Sequence, residues 1–222
     1  MRRVLVLLLL LLSSCSTAVP ADDNYPIRVT YSPAAAPWVS DLYKCAGKNI
    51  VIAESRTSDD LDPSHNMAIR IGLPISFNSP AFQIGIEEIL VVVNHISPMT
   101  TLTLEQVRRL FSGQTDNWSQ LNTSVSGKVQ VWVYPSSEDV EQAFEEAVLH
   151  GTPVSSFARL ANNPDEMSRA VADNQNAVGV LPRHWKMGNV TTVFVAASVP
   201  VLALTPAGPS GAVRRILTCL SN

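Results

Sequence analysis

Ser32 and Arg70 are the residues whose type and setting most readily suggest chemistry, and the chemistry is anion recognition. Ser32 follows the short apolar run Ile27-Arg28-Val29-Thr30-Tyr31 and precedes Pro33-Ala34-Ala35-Ala36-Pro37, after which a helical pattern covers residues 38–46. A helix start offers unpaired backbone N–H groups and the positive end of the helix dipole. Ser32 and the amides of Ala34 to Ala36 are therefore candidate donors to an anion; an ordinary turn bounded by prolines is the competing reading. Arg70 stands in the middle of Met67-Ala68-Ile69-Arg70-Ile71-Gly72-Leu73. Burying a guanidinium alone is costly, so Arg70 calls for a ligand or for a salt-bridge partner.

Other chemistries find little support. His65, His95, His150 and His184 are not paired at metal-ligand spacing, and no metal or other cofactor is expected. Gly208-Pro209-Ser210-Gly211 lacks the spacing and strand-to-helix setting of a nucleophile elbow, and Ser210 reads better as a helix cap. Glu87 and Glu88, and Glu138 and Asp139, are paired only along the chain. The chain is not expected to be an enzyme. With a formal net charge of −3 and no basic patch, nucleic acid is not an expected partner.

Arg2 and Arg3 precede an apolar run from Val4 to Leu12, too short to span a membrane and shaped like a secretory signal. The run ends Leu12-Ser13-Ser14-Cys15, which resembles a bacterial lipobox; a plain export signal with an incidental cysteine is the competing reading. Residues 1–14 are thus expected to be a signal peptide, Cys15 the lipidated residue and 15–24 a polar tether. Cys45 and Cys219 remain, in a compartment where disulfides persist. A disulfide between them is the natural expectation, with two separate buried thiols as the alternative.

These residues need elements to position them. Leu102-Thr103-Leu104-Glu105-Gln106 has capping-box spacing at Thr103 and Gln106, its apolar residues recur through Val107, Leu110 and Phe111, and Gly113 marks a left-handed stop. Before it, Ile89-Leu90-Val91-Val92-Val93-Asn94 reads as a buried strand. Residues 129–133 form a further strand, and Val140, Ala143, Phe144, Ala147 and Val148 mark an amphipathic helix. Asn163-Pro164-Asp165-Glu166 is an N-cap with proline in the first turn. Strands follow at 178–181, 190–195 and 201–204, and a last helix begins at Gly211. Strands and helices alternate throughout, which predicts an α/β architecture.

A strand ending in Val93-Asn94, then Leu102-Thr103-Leu104-Glu105-Gln106, Phe111-Ser112-Gly113 and Asn117-Trp118, resembles the phosphate-type solute-binding proteins of ABC importers. Val129-Gln130-Val131-Trp132-Val133 with Phe144, and Ala177-Val178-Gly179-Val180-Leu181-Pro182, extend the resemblance. It implies a two-lobed periplasmic-binding-protein-like fold with mixed sheets, helices on their faces and two crossover strands. One lobe would be 25–95 with 179–222 and the other 96–178. Both cysteines would then fall in the first lobe, where a bridge would tie the chain ends together.

The same resemblance implies a ligand loop at the start of the helix after residue 133. Relatives hold an oxyanion there with a glycine- and serine-rich loop; this chain keeps Ser136 and Ser137 but has Glu138 and Asp139 where small residues are expected. The candidate ligand set is Ser32, Ala34 and Arg70, from their own settings, with Ser136, Ser137 and Glu138 from the resemblance. Two carboxylates in the first turn already satisfy the dipole that an anion would use, so phosphate binding is expected to be weak or absent. The expected protein is a monomer, held by lipid to the outer face of the cell membrane, passing a small phosphate-like anion to an ABC permease. The other expectation is a surface interaction or sensing lipoprotein with the same fold and a degenerate ligand site.

Overall fold

The computed structural model of the chain describes residues 26–55, 64–73, 78–121 and 126–221. The signal peptide, Cys15 and the tether lie outside the described residues. The framework is one mixed eight-stranded sheet. Its strands are β1 (Ile27–Tyr31), β2 (Ile50–Glu54), β3 (Met67–Ile71), β4 (Ala81–Asn94), β5 (Gln130–Val133), β6 (Arg159–Leu160), β7 (Ala177–Pro182) and β8 (Val190–Leu204), in spatial order β2-β1-β3-β8-β4-β7-β5-β6. β1 runs parallel to β2 and β3, and β5 parallel to β6 and β7. The centre is antiparallel: β8 pairs with β3 and β4, and β4 pairs with β7.

β4 and β8 are longer than the sequence pattern suggests. The run expected at 89–94 extends back to Ala81, because Gln83, Gly85, Glu87 and Glu88 are carried by pairing with β8 even though they break the apolar pattern. Likewise the two strands expected at 190–195 and 201–204 are one, running through Pro200. Proline removes a donor from a sheet, and Pro200 lies just beyond the end of the β3 pairing at Ile71 and Val201. Its carbonyl accepts the N–H of Gly72 at 2.8 Å. The buried end of β4, Ile89 to Val93, is inaccessible to solvent, as its run of branched residues requires.

The helices are α1 (Val39–Ala46), α2 (Leu104–Phe111), α3 (Asp139–Phe144), α4 (Pro164–Ala172) and α5 (Gly211–Leu220). α2 has the expected capping box: Gln106 donates its N–H to Thr103 Oγ1 at 3.2 Å, and Thr103 donates its own to Gln106 Oε1 at 2.8 Å. Gly113 has φ +77°, the left-handed stop. α4 is capped by Asn163, which accepts the N–H of Glu166 at 2.9 Å. At its other end Asn94 Nδ2 donates to the carbonyls of Val171 and Ala172, at 3.3 and 2.5 Å. The polar residue that ends β4 thus satisfies the open end of a helix.

The amphipathic helix expected over 140–148 departs from regularity. α3 widens after Phe144 into a π-helical stretch, Glu145–Leu149, that stops at His150 with φ 47°. Arg108 Nε donates to the carbonyl of Val148 at 2.9 Å and fixes the end of the stretch. The first and last helices meet as expected, with Cys45 of α1 and Cys219 of α5 joined in a disulfide, Cα atoms 5.7 Å apart across a sequence separation of 174. Among the described residues no helix is long and apolar enough to cross a membrane.

Candidate ligand cleft

The end of β3 and the middle of β8 face α3 and its π-helical extension across a cleft of about 980 Å³. One wall is Ile71, Gly72 and Leu73 with Ala197, Val199 and Pro200; the other is Asp139, Gln142, Ala143, Glu145, Glu146, Ala147, His150 and Gly151. The volume is that of a small-molecule site. Its polar side chains are those of Asp139, Gln142, Glu145, Glu146 and His150, with no lysine or arginine among the described residues that line it.

Asp139 is the buried carboxylate of the lining. Its side chain is buried, with Oδ2 accepting the N–H of Ile71 at 2.8 Å and Oδ1 that of Val140 at 2.9 Å. Ser32 is also buried, its hydroxyl near enough to favour the charged form of Asp139 but not in the geometry of a formed hydrogen bond. Burial pushes the Asp139 carboxyl up from the usual carboxylate range; Ser32, the Ile71 amide, the Arg70 guanidinium and the Val140 amide all pull the other way. Arg70 is 4% exposed. Its guanidinium is lowered by burial and supported in its charged form by Asp139 and Glu138. The partner that a buried arginine requires is therefore supplied by the chain's own carboxylates.

The remaining expected site residues are placed differently. Ser136 and Ser137 are exposed and do not line the cleft, although the Ser136 carbonyl accepts Gln142 Nε2 at 3.2 Å. Glu138 is buried beside Arg70, off the cleft wall. Ala34 is buried in a 3₁₀ turn, Pro33–Trp38, and its carbonyl accepts Trp185 Nε1 at 2.9 Å. The Ala35 amide donates to the Ser32 carbonyl at 2.9 Å, so this turn is partly closed on itself. The structure brings together Ser32, Arg70 and Glu138 around Asp139.

Sequence reasoning placed Asp139 beside Glu138 without separating their roles, and it missed the Ile71 amide and the wall of Gln142, Glu145, Glu146 and His150. Nothing local distinguishes those polar positions from a solvated helix face. A second polar cluster lies outside the cleft lining: buried Glu87 receives His184 Nδ1 at 2.7 Å, Arg183 pairs with Glu88, and the His184 ring lies 5.1 Å from that of Trp38. With the Trp185 bond to Ala34 it ties β4 and the turn after β7 to the 3₁₀ turn.

No protein-family model matches the sequence, and no curated protein is significantly similar to it. Solved structures do match in shape. A Clostridium perfringens protein assigned as a phosphate ABC transporter substrate-binding protein, with bound phosphate, superposes with a TM-score of 0.77 at 14% identity, over 88% of this chain and 92% of that one. An ABC-type phosphate transport receptor from Vibrio cholerae gives 0.67 at 18% identity, covering 88% and 93%. The reduced regulatory domain of OxyR2 from Vibrio vulnificus gives 0.65 at 13% identity, covering 92% and 98%. The chain has the α/β fold of phosphate-type solute-binding proteins, a fold that it also shares with a regulatory domain.

Proposed function

We propose that this chain is an extracytoplasmic solute-binding protein, anchored by lipid on Cys15, that takes a small phosphate-like anion into the cleft and presents it to an ABC permease. The observation that supports this most is the cleft itself, formed where β3 and β8 meet α3 in a fold that a neighbouring structure uses with phosphate bound. Residues 25–95 with 179–222 and residues 96–178 would act as lobes that a ligand draws together. A ligand shifts such an equilibrium only by its differential affinity for the closed form. An oxyanion that keeps a proton can donate it to Asp139, whereas fully ionised sulfate is repelled.

One observation favours a second reading. Asp139 already holds the Ile71 amide and sits beside Arg70, as a bound anion would, which suits a sensing or surface interaction lipoprotein with a degenerate site. Thermal denaturation of the purified protein against phosphate, sulfate, molybdate and short carboxylates separates the two. Solute capture predicts a midpoint that climbs steadily with the logarithm of ligand concentration for at least one of them. No response to any of them contradicts anion capture and favours the second reading. Cys15→Ala should release the protein from membranes.

A further inference from the structure

The groups around Asp139 are those of a receptor for a carboxylate, and the carboxylate that they receive belongs to the chain. Its two oxygens take amides from opposite sides of the cleft, Ile71 at the end of β3 and Val140 in α3, separated by 68 residues in the first case from the acceptor. Arg70 supplies positive charge near enough to favour the charged carboxylate. Ser32 adds a buried hydroxyl that lies close to the same carboxylate without the geometry of a formed hydrogen bond. Converging amides, a hydroxyl and a guanidinium are the donors that hold small oxyanions and carboxylates.

We propose that this is a carboxylate- and oxyanion-binding cradle with a built-in occupant: the Asp139 side chain stands where a small free anion would bind and bridges the two walls of the cleft in its place. The inference rests on reading the cleft as the solute site. It explains how the Arg70 charge is met while the cleft wall lacks a lysine or arginine, and it makes the affinity of the wild type for free anions low. A second carboxylate brought to the same donors meets Asp139 together with Glu145 and Glu146 of the wall.

The test is to empty the cradle. Asp139→Ala removes the occupant, Asp139→Asn keeps its shape without the charge, and each is compared with wild type by thermal shift in formate, acetate and phosphate against chloride at matched ionic strength. The alanine variant should respond at anion concentrations at least about tenfold lower than wild type, and the asparagine variant should gain far less. An alanine variant that responds no better than wild type overturns the proposal. So does an asparagine variant that gains equally, since charge removal and not vacancy would then be the cause. If wild type binds one of the solutes and Asp139→Ala takes no anion, the cradle falls while the solute cleft stands. Should Asp139→Ala fold poorly, refolding in formate and in chloride asks the same question: recovery in formate alone supports the cradle, and no recovery in either overturns it.

Discussion

Asp139 and Glu141 lie two positions apart on the same short helix, both buried, and their surroundings treat them differently. Asp139 has two amides, a hydroxyl and a guanidinium about it, whereas Glu141 has one hydrogen bond, from the Tyr134 N–H to Oε2 at 2.8 Å, and its Oε1 is unpartnered. Burial pushes the Glu141 carboxyl up to about 8, with Glu145 adding to the effect and the Tyr134 amide opposing it. The folded chain therefore holds this proton more tightly than the unfolded chain does. The stabilisation is complete below the unfolded value near 4.5 and is lost as pH rises through about 8. Denaturant unfolding of wild type and Glu141→Gln across that window should differ by a slope of at most about 1.4 kcal/mol per pH unit, with wild type losing stability relative to the variant. Parallel pH profiles would show that Glu141 is not held neutral. None of this was legible in the sequence, where Glu138, Asp139 and Glu141 look alike; what separates them is the Ile71 amide arriving from a strand 68 residues away for one and not for the others.

Elements whose signals are local were read correctly, and β5 and β7 lie where strands were expected, but the full extent of β4 and β8, which depends on distant pairing, was not. The capping box at Thr103 and Gln106, the Asn163 cap and the Gly113 stop each involve residues within a few positions of one another. The full lengths of β4 and β8 depend on each strand having the other as a partner, so polar residues and a proline hid them. The widening of α3 into a π-helical stretch has no local signature either, yet it forms much of the cleft wall. Gly85 illustrates the same point within β4. A Cβ there would lie 2.2 Å from the Trp38 ring, which itself packs against His184. Gly85→Ala should therefore destabilise by about 1–3 kcal/mol, the range for overpacking, as read from the urea midpoint. A variant as stable as wild type would mean that Trp38 moves aside at no cost, and that the 3₁₀ turn carrying it is not fixed against β4.

At the scale of the molecule Cys45 and Cys219 join the first helix to the last, so that α1 and α5 form one unit although 174 residues separate the two cysteines. In the chain-entropy model a loop of this length stabilises by about 5 kcal/mol, before opposing effects of native strain and residual structure in the unfolded chain. Reduction, or paired Cys45→Ala and Cys219→Ala substitution, should lower the denaturation midpoint markedly, and an unchanged midpoint would argue that the unfolded chain is already held compact. The cysteine pairing was open to sequence reasoning because only two thiols remain after Cys15. The cleft was open to it only as a fold-level expectation, since Ser136 and Ser137 turned out exposed and the wall of residues 142–151 went unrecognised. The cleft between β3, β8 and α3 is where a solute would bind. Backbone amide NMR spectra of the isotope-labelled protein, titrated with phosphate and with short carboxylates, test this: shifts should cluster at residues 71–73, 139–151 and 197–200, and saturable shifts confined to other residues, or none with any of these solutes, would contradict solute binding in the cleft.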